Sequence, residues 1–370
     1  MNLAGLGLAV PTHAVGQADL AASAVERCCT TRSQRRLLPT FYAKTTVARR
    51  GSVLVAEGNG HAAAEVDDFF PPPTHAGDRG PSVAARMQRF AELAPPLAHD
   101  AAARALTHAG VAACDVDQVV LVTCTGFASP GVDFALIERL GLRDDVGRTQ
   151  IGFMGCHGAV NGLRVARGLA LADPGSSVLA VCVELCTLHF QYGWEPPRVL
   201  ANALFADGAA AAVLQAHEAD APPAGAPGPA IRLIATGSRL VPDSAADMTW
   251  DIAEHGFVMS LSPRVPGLIR RHLRPWLDQW LASHGVAVEE VAGWAIHPGG
   301  PRVVTAAGDA MGVPDEAMAN SRDVLREHGN MSSPTVLFVL QRLLDRGVRG
   351  PIVLLAFGPG LVAEAALVEA

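Results

Sequence analysis

Between Val119 and Leu214, apolar runs of strand length alternate with stretches of helical period, and that rhythm leaves the chain few ways to fold. The strand candidates are Val119 to Thr123, Thr149 to Met154, Ser177 to Glu184 and Asp207 to Leu214, with helical stretches at Val132 to Leu140 and His157 to Ala172. A strand of continuous apolar residues buries both faces, so a parallel sheet covered by helices on either side is expected. The pattern returns further on, with strands Ile231 to Thr236, Val291 to Ile296, Ile352 to Phe357 and Leu361 to Val368, and helices Pro266 to His284, Pro301 to Met311 and Ser333 to Arg346. Asp220-Ala-Pro-Pro-Ala-Gly-Ala-Pro-Gly-Pro229 interrupts it with turn-forming residues. The chain therefore divides into an N-terminal half (1–220), a connector (221–229) and a C-terminal half (230–370). Each half closes on a strand of small residues that opens with glycine, Gly208 to Leu214 and Gly360 to Leu367, which points to an internal duplication within an α/β fold.

Ahead of this region, residues 1–10 read as a first strand closed by Pro11; without a basic leader they do not resemble a signal peptide. Residues 20–75 show no clear period. They hold a basic cluster (Arg32, Arg35, Arg36, Lys44, Arg49, Arg50), either a solvated face or an anion site, and a loop at Phe69-Phe-Pro-Pro-Pro73. From Ser82 a helical pattern is expected to break at Pro95-Pro96 and resume to Ala109, where Gly110 offers a stop. With 49% apolar and 18% charged residues the chain can bury a large core, and a net charge of -7 argues against a nucleic-acid partner. Arg164 and Arg167 interrupt the longest apolar stretch, so no membrane span is expected. The seven cysteines are odd in number and scattered, as in a reduced, cytoplasmic protein; Cys182 and Cys186 have no matching pair nearby, so no metal site is expected.

One thiol stands apart. Cys156 lies where a strand candidate runs through Gly155 into a helix, beside unpaired backbone N–H groups and the positive end of the helix dipole. Both favour thiolate, and a drop of ~2 units from an ordinary pKa of about 8.5 would make it the dominant form. The alternative is a buried structural cysteine. His157 is not its base, because adjacent residues on a helix point about 100° apart. The C-terminal half offers His297, at the end of a buried strand and before Pro298-Gly-Gly300, and Asn330, between Gly329 and a helix start. Taken singly, each fits a core histidine or a helix cap. Near a thiolate they would supply a proton acceptor and a donor to an oxyanion.

Gly155-Cys156, His297-Pro-Gly-Gly-Pro301, Gly329-Asn-Met-Ser-Ser333 and Phe357-Gly-Pro-Gly-Leu361 occur in that order, together with Ala203-Leu-Phe-Ala-Asp-Gly-Ala209 and Val265-Pro-Gly-Leu-Ile269. Over residues 40–370 the chain thereby resembles the chalcone synthase family, the type III polyketide synthases. The resemblance implies a thiolase-like fold, two similar halves in α-β-α-β-α layers, usually in a homodimer. It implies a triad of Cys156, His297 and Asn330. Cys156 would hold a starter acyl group taken from acyl-CoA, while His297 and Asn330 hold malonyl-CoA through loss of CO2. CoA thioesters would be substrates, with no cofactor.

The same resemblance makes Phe205 a gatekeeper between a CoA tunnel and a cavity, and puts Met259 where a second gatekeeper phenylalanine is usual. Trp250 replaces a cavity glycine and His189 a threonine, so a smaller cavity is expected, with a smaller starter or fewer condensations. Thr125, Cys186, Ser332 and the loop Gly358-Pro359-Gly360 are further cavity positions; the loop alone also reads as a plain hairpin turn. Lys44, the sole lysine, matches a CoA-binding lysine, whereas two other basic positions of the plant enzymes are Leu37 and Thr40 here, with Arg36 or Arg49 as substitutes. Ketoacyl-carrier-protein synthase III shares the triad but reads His-Gln-Ala-Asn at the histidine, and thiolases need a second cysteine in the C-terminal half, absent after Cys186. A cysteine-dependent acyl-CoA thioesterase would use the thiolate and imidazole but leave Asn330 without a role, and a non-catalytic scaffold would not need the triad.

Overall fold

The computed structural model describes residues 1–56, 65–66, 68–216 and 231–370. The connector 221–229 lies outside them. Nine strands form one sheet: β1 (Asn2–Ala9), β2 (Gln118–Thr123), β3 (Gly147–Gly152), β4 (Ser177–Leu185), β5 (Asp207–Gln215), β6 (Ile231–Leu240), β7 (Gly293–Ile296), β8 (Pro351–Gly358) and β9 (Val362–Glu369). Their order is β7-β8-β9-β6-β1-β5-β4-β2-β3. The halves join through a two-residue ladder, Asn2 with Arg232 and Leu3 with Ile231. Outward from that join the order β1-β5-β4-β2 repeats as β6-β9-β8-β7, which is the duplication in spatial form. The sheet is mixed, not parallel: β2 pairs parallel with β3 and β4, and β7 with β8, whereas the other ladders are antiparallel. Strands β8 and β9 are joined by three residues, too few for the crossover that parallel pairing needs.

Among the described residues there are ten α-helices, most of them packed on the sheet: α1 (Gln17–Cys28), α2 (Arg32–Lys44), α3 (Val83–Ala109), α4 (Val132–Leu140), α5 (Gly158–Ala172), α6 (Pro196–Leu204), α7 (Val265–Ala282), α8 (Pro301–Met311), α9 (Ala319–His328) and α10 (Thr335–Asp345). Successive strand residues point to opposite faces, and the cores follow that alternation. Val119 and Leu121 pack outward with Ala98, Ala102 and Leu136 of α3 and α4. Val120 and Val122 pack inward with Val160 and Leu163 of α5, in one core with Val336 and Leu340 of α10 and Ile352 and Leu354 of β8. Val353 and Leu355 complete the stack with Leu277 of α7 and Val304 of α8. The layers are therefore α-β-α-β-α, a thiolase-like fold.

The expected break at Pro95-Pro96 does not occur, and α3 runs unbroken from its Ser82 cap to Gly110 in left-handed backbone. Burial outweighs the amide bonds the prolines remove: Ala94, Pro95, Ala98, Ala101, Ala102 and Ala105 are all buried, and the helix lies directly on β1. A Cβ at Gly7 would come within 2.1 Å of the Ala101 carbonyl oxygen, so only glycine permits that approach. The unread region 20–75 contains α1 and α2; α2 opens on a capping box between Thr31 and Gln34.

Candidate active site

Strand β3 ends at Gly152, earlier than the expected Met154, because Phe153 (φ 61°) and Gly155 (φ 74°) turn the backbone through the left-handed region. A single 3-10 turn, Gly155–His157, then leads into α5 and carries Cys156. Gly155 is required twice over: a Cβ there would also lie 2.5 Å from Pro359 Cδ, which places the Gly358-Pro359-Gly360 loop directly against the turn that carries Cys156. The loop joins β8 to β9 as a hairpin turn, and it does not line the cavity described below. His157 is buried, its Nδ1 2.7 Å from Asn161 Oδ1.

The start of α10 meets this turn. Ser332 Oγ lies 3.6 Å from Cys156 Sγ and 3.3 Å from Cys124 Sγ. Ser332 N–H donates to Asn330 Oδ1 at 2.8 Å, which leaves the amide nitrogen of Asn330 as the donor available to the Cys156 sulfur. Asn330 is fixed through its backbone, donating to Leu204 O and accepting from Ala206 N–H. His297 sits at the carboxyl end of β7, held by its N–H to Leu355 O, and is buried with neither ring nitrogen hydrogen-bonded. Two central helices from opposite halves thus point their N-termini at one pocket.

Burial dominates the ionisation of this pocket. It pushes the Cys156 thiol up to about 11, opposed by hydrogen bonds from Ser332 and Asn330 and reinforced by the charge of Glu184. It pushes His297 down to about 3, with His157 adding to the effect. The lowering expected at a helix N-terminus is therefore not realised while the imidazole is neutral, because desolvation exceeds the dipole.

Sequence reasoning missed Glu184, although a single acid inside an apolar strand was the signal for it. Its carboxylate is fully buried and accepts from Cys124 N–H (2.9 Å), Thr123 Oγ1 (3.2 Å), Thr125 Oγ1 (2.7 Å) and Ser333 Oγ (2.6 Å). The Thr125 hydroxyl is thereby turned to Glu184, and its oxygen also accepts from Leu185 N–H.

Phe205, Met259, Trp250, His189 and Cys186 do come together, around a cavity of about 90 Å³ whose lining excludes the triad. Trp250 and Met259 are cross-strand partners in the hairpin Met248–Ala253/Gly256–Leu261. The indole N–H of Trp250 donates to Cys124 O (2.7 Å), and His189 Nε2–H donates to Thr125 O (2.7 Å) while its Nδ1 accepts from Phe257 N–H (2.9 Å). Phe257, also missed, stacks on His189 with centroids 4.1 Å apart. Lys44 and Arg36 are exposed on α2, Lys44 Nζ 5.8 Å from the centre of the Phe41 ring, and Arg49 is exposed on the short strand that pairs with residues 14–16. None of the three lines the cavity.

A half-buried thiol from one half thus meets the Asn330 amide and the Ser332 hydroxyl of the other across a thiolase-like fold. The chain belongs to the chalcone and stilbene synthase family: the model of the family's N-terminal domain matches residues 1–218 and that of its C-terminal domain residues 232–370. It is 34% identical to the 1,3,6,8-tetrahydroxynaphthalene synthase of Streptomyces peucetius subsp. caesius, over 100% of this chain and 93% of that one. It is 31% identical to the alpha-pyrone synthesis polyketide synthase-like Pks18 of Mycobacterium tuberculosis, over 99% and 90%. The crystal structure of PKS-I from the brown alga Ectocarpus siliculosus superposes with a TM-score of 0.90 at 32% identity, covering 99% of this chain and 97% of that one. That of the tetrahydroxynaphthalene synthase of Streptomyces coelicolor A3(2) gives 0.84 at 28%, covering 100% and 99%. The chain is a type III polyketide synthase.

Burial, with the charge of Arg86 adding, holds His189 down to about 3 against the opposing bond to Thr125. Because the folded value lies below the ordinary 6.5, the unfolded chain takes up this proton first, so the stability His189 contributes is present above pH 6.5 and lost as pH falls toward 3. Wild type is expected to lose about 1.4 kcal/mol per pH unit relative to His189→Gln below pH 6.5. Urea unfolding across that range checks it; parallel profiles for the two proteins would refute it.

Proposed function

We propose that Cys156 is the acyl-carrying nucleophile and that His297 and Asn330 drive decarboxylative condensation. The thiolate, formed by proton transfer to His297, attacks the thioester carbonyl of a starter acyl-CoA and expels CoA. Malonyl-CoA then binds with its thioester oxygen between His297 and Asn330. Loss of CO2 leaves an enolate whose oxygen these two donors stabilise, and its carbon attacks the Cys156-bound carbonyl. The thiolate leaves, and the new β-ketoacyl-CoA can reload for another round before cyclising to an aromatic or pyrone product. The observation that carries this reading is the meeting of Ser332, Asn330 and Cys156 at the start of α10, with the buried, uncommitted imidazole of His297 within electrostatic reach of His157 in the Cys156 turn. Pre-placed donors in a dry site stabilise an oxyanion without reorganisation, worth about 10²–10³ in rate for one donor.

In this reading Lys44, with Arg36 or Arg49, meets the CoA phosphates. The protein works in the cytoplasm, where its free cysteines stay reduced; among the described residues no helix is long and apolar enough to cross a membrane. Two copies pair through the open edge of β3, beside which Phe127, Phe134 and Met154 are exposed. Sedimentation is expected to show a dimer that Phe127→Glu weakens, and a wild-type monomer would sink that part.

Incubation with malonyl-CoA and a panel of acyl-CoAs, followed by mass spectrometry, tests the reaction. New carbon–carbon bonds with CO2 release are expected; free acid alone would show a hydrolase. Asn330→Ala is expected to slow decarboxylation by about 10²–10³, and Cys156→Ala to abolish acyl loading. Trp250→Gly, which opens the wall between Cys124 and the cavity, is expected to lengthen the product or broaden the starter range. An unchanged product profile would remove the volume argument.

A further inference from the structure

His157 takes no part in the chemistry above, yet its ring is held on both edges. Nδ1 lies 2.7 Å from Oδ1 of Asn161, four residues along the same helix face. The opposite edge lies against the end of β8, where a Cβ on Gly358 would come within 2.3 Å of the ring's Cδ2 and 2.7 Å of its Nε2. The contacts continue beyond Asn161. Its Nδ2 donates to Oε1 of Glu364 on β9 at 3.3 Å, and Glu364 is buried, paired with Arg164 of α5, and accepts from Ser238 Oγ of β6 at 2.8 Å. Arg164 donates in turn to Thr236 Oγ1 (3.2 Å) and Gly237 O (3.3 Å).

This arrangement decides where the imidazole proton sits. A carboxylate engaged with an arginine offers only acceptors, so Asn161 must turn its NH2 to Glu364 and its oxygen to His157. An acceptor oxygen at 2.7 Å then requires the proton on Nδ1. Burial holds the ring below its ordinary range, against the pull of the Asn161 bond and the Glu364 charge. Cys156 and His157 share one 3-10 turn, entered through the left-handed backbone of Gly155, and so short a turn has few bonds of its own to hold it. The sulfur meets Ser332 and Asn330 of the C-terminal half, and His157 reaches the same half through Asn161 and Glu364. Side chains of adjacent residues diverge by about 100°, so the two contacts hold the turn from different directions.

We propose that His157 is a positioning residue for Cys156: Asn161 and Glu364 lock it as the neutral Nδ1–H tautomer, and the locked ring holds the 3-10 turn so that the Cys156 sulfur faces Ser332 and Asn330. The inference rests on the reading of Cys156 as nucleophile and adds the residue that aims it.

Imidazole-nitrogen NMR of the whole protein, with labelled histidines and the His157 signals identified by their loss in His157→Asn, reads the lock in wild type. The ring is expected as the Nδ1–H tautomer and still neutral at pH 6.5, where an ordinary histidine is half charged. In His157→Asn the amide nitrogen takes the place of Nδ1, and kcat with malonyl-CoA is expected within about threefold of wild type. In His157→Gln the nitrogen falls at the Nε2 position, and in Asn161→Leu the acceptor is gone. Both are expected to lower kcat about tenfold with KM nearly unchanged, and to slow alkylation of Cys156 by iodoacetamide about tenfold. An Nε2–H or charged ring in wild type overturns the lock, and equal kcat in His157→Asn and His157→Gln overturns the positioning role; in both cases the condensing reading stands. If wild type forms no carbon–carbon bond from malonyl-CoA and the acyl-CoA panel, that reading fails instead, and the tautomer and alkylation rates still decide the lock.

Discussion

The site depends on one buried carboxylate. Glu184 gathers Thr123, Cys124 and Thr125 at the end of β2 and reaches Ser333 at the start of α10, so a single acid ties a strand of one half to a helix of the other. Four donors are what make a fully buried carboxylate tolerable, and leaving a buried group short of a hydrogen-bond partner costs about 1–3 kcal/mol, more where it is charged. The residues it fixes are neighbours of the working ones: Ser333 follows Ser332, and Cys124 bridges to Ser332 and accepts the indole of Trp250. Position at Cys156 is thus set from beneath, by a group that need not touch substrate.

That carboxylate also has an electrostatic cost. Its charge disfavours thiolate at Cys156, and burial works in the same direction. Three effects oppose them within the chain: the hydrogen bonds of Ser332 and Asn330 and that of the Cys156 backbone. In the proposed reaction His297, buried with neither ring nitrogen hydrogen-bonded, is the group that would supply the opposing positive charge.

Much of the fold was legible because burial on both faces leaves a plain mark: Val132 to Leu140 and Pro301 to Met311 are helices at the bounds the sequence suggests. Antiparallel pairing of the central strands was not legible, since apolar runs report burial and carry no direction. Pro95 and Pro96 misled for a related reason, local propensity being overruled by a long helix lying on Gly5 and Gly7. In the site, Cys156, His297 and Asn330 could be named from ordered motifs. The roles of Glu184 and Phe257 could not, because each depends on partners 59 to 149 residues away.

The duplication seen in the strand order has a consequence for how such chemistry is encoded. Each half builds much the same scaffold, yet one supplies only the thiol and the other only the imidazole and amide. Neither unit is a weaker version of the whole. Reactivity arises at the seam where two like bodies stopped being interchangeable, so the division of labour between them, more than any single side chain, is what the doubled architecture preserves.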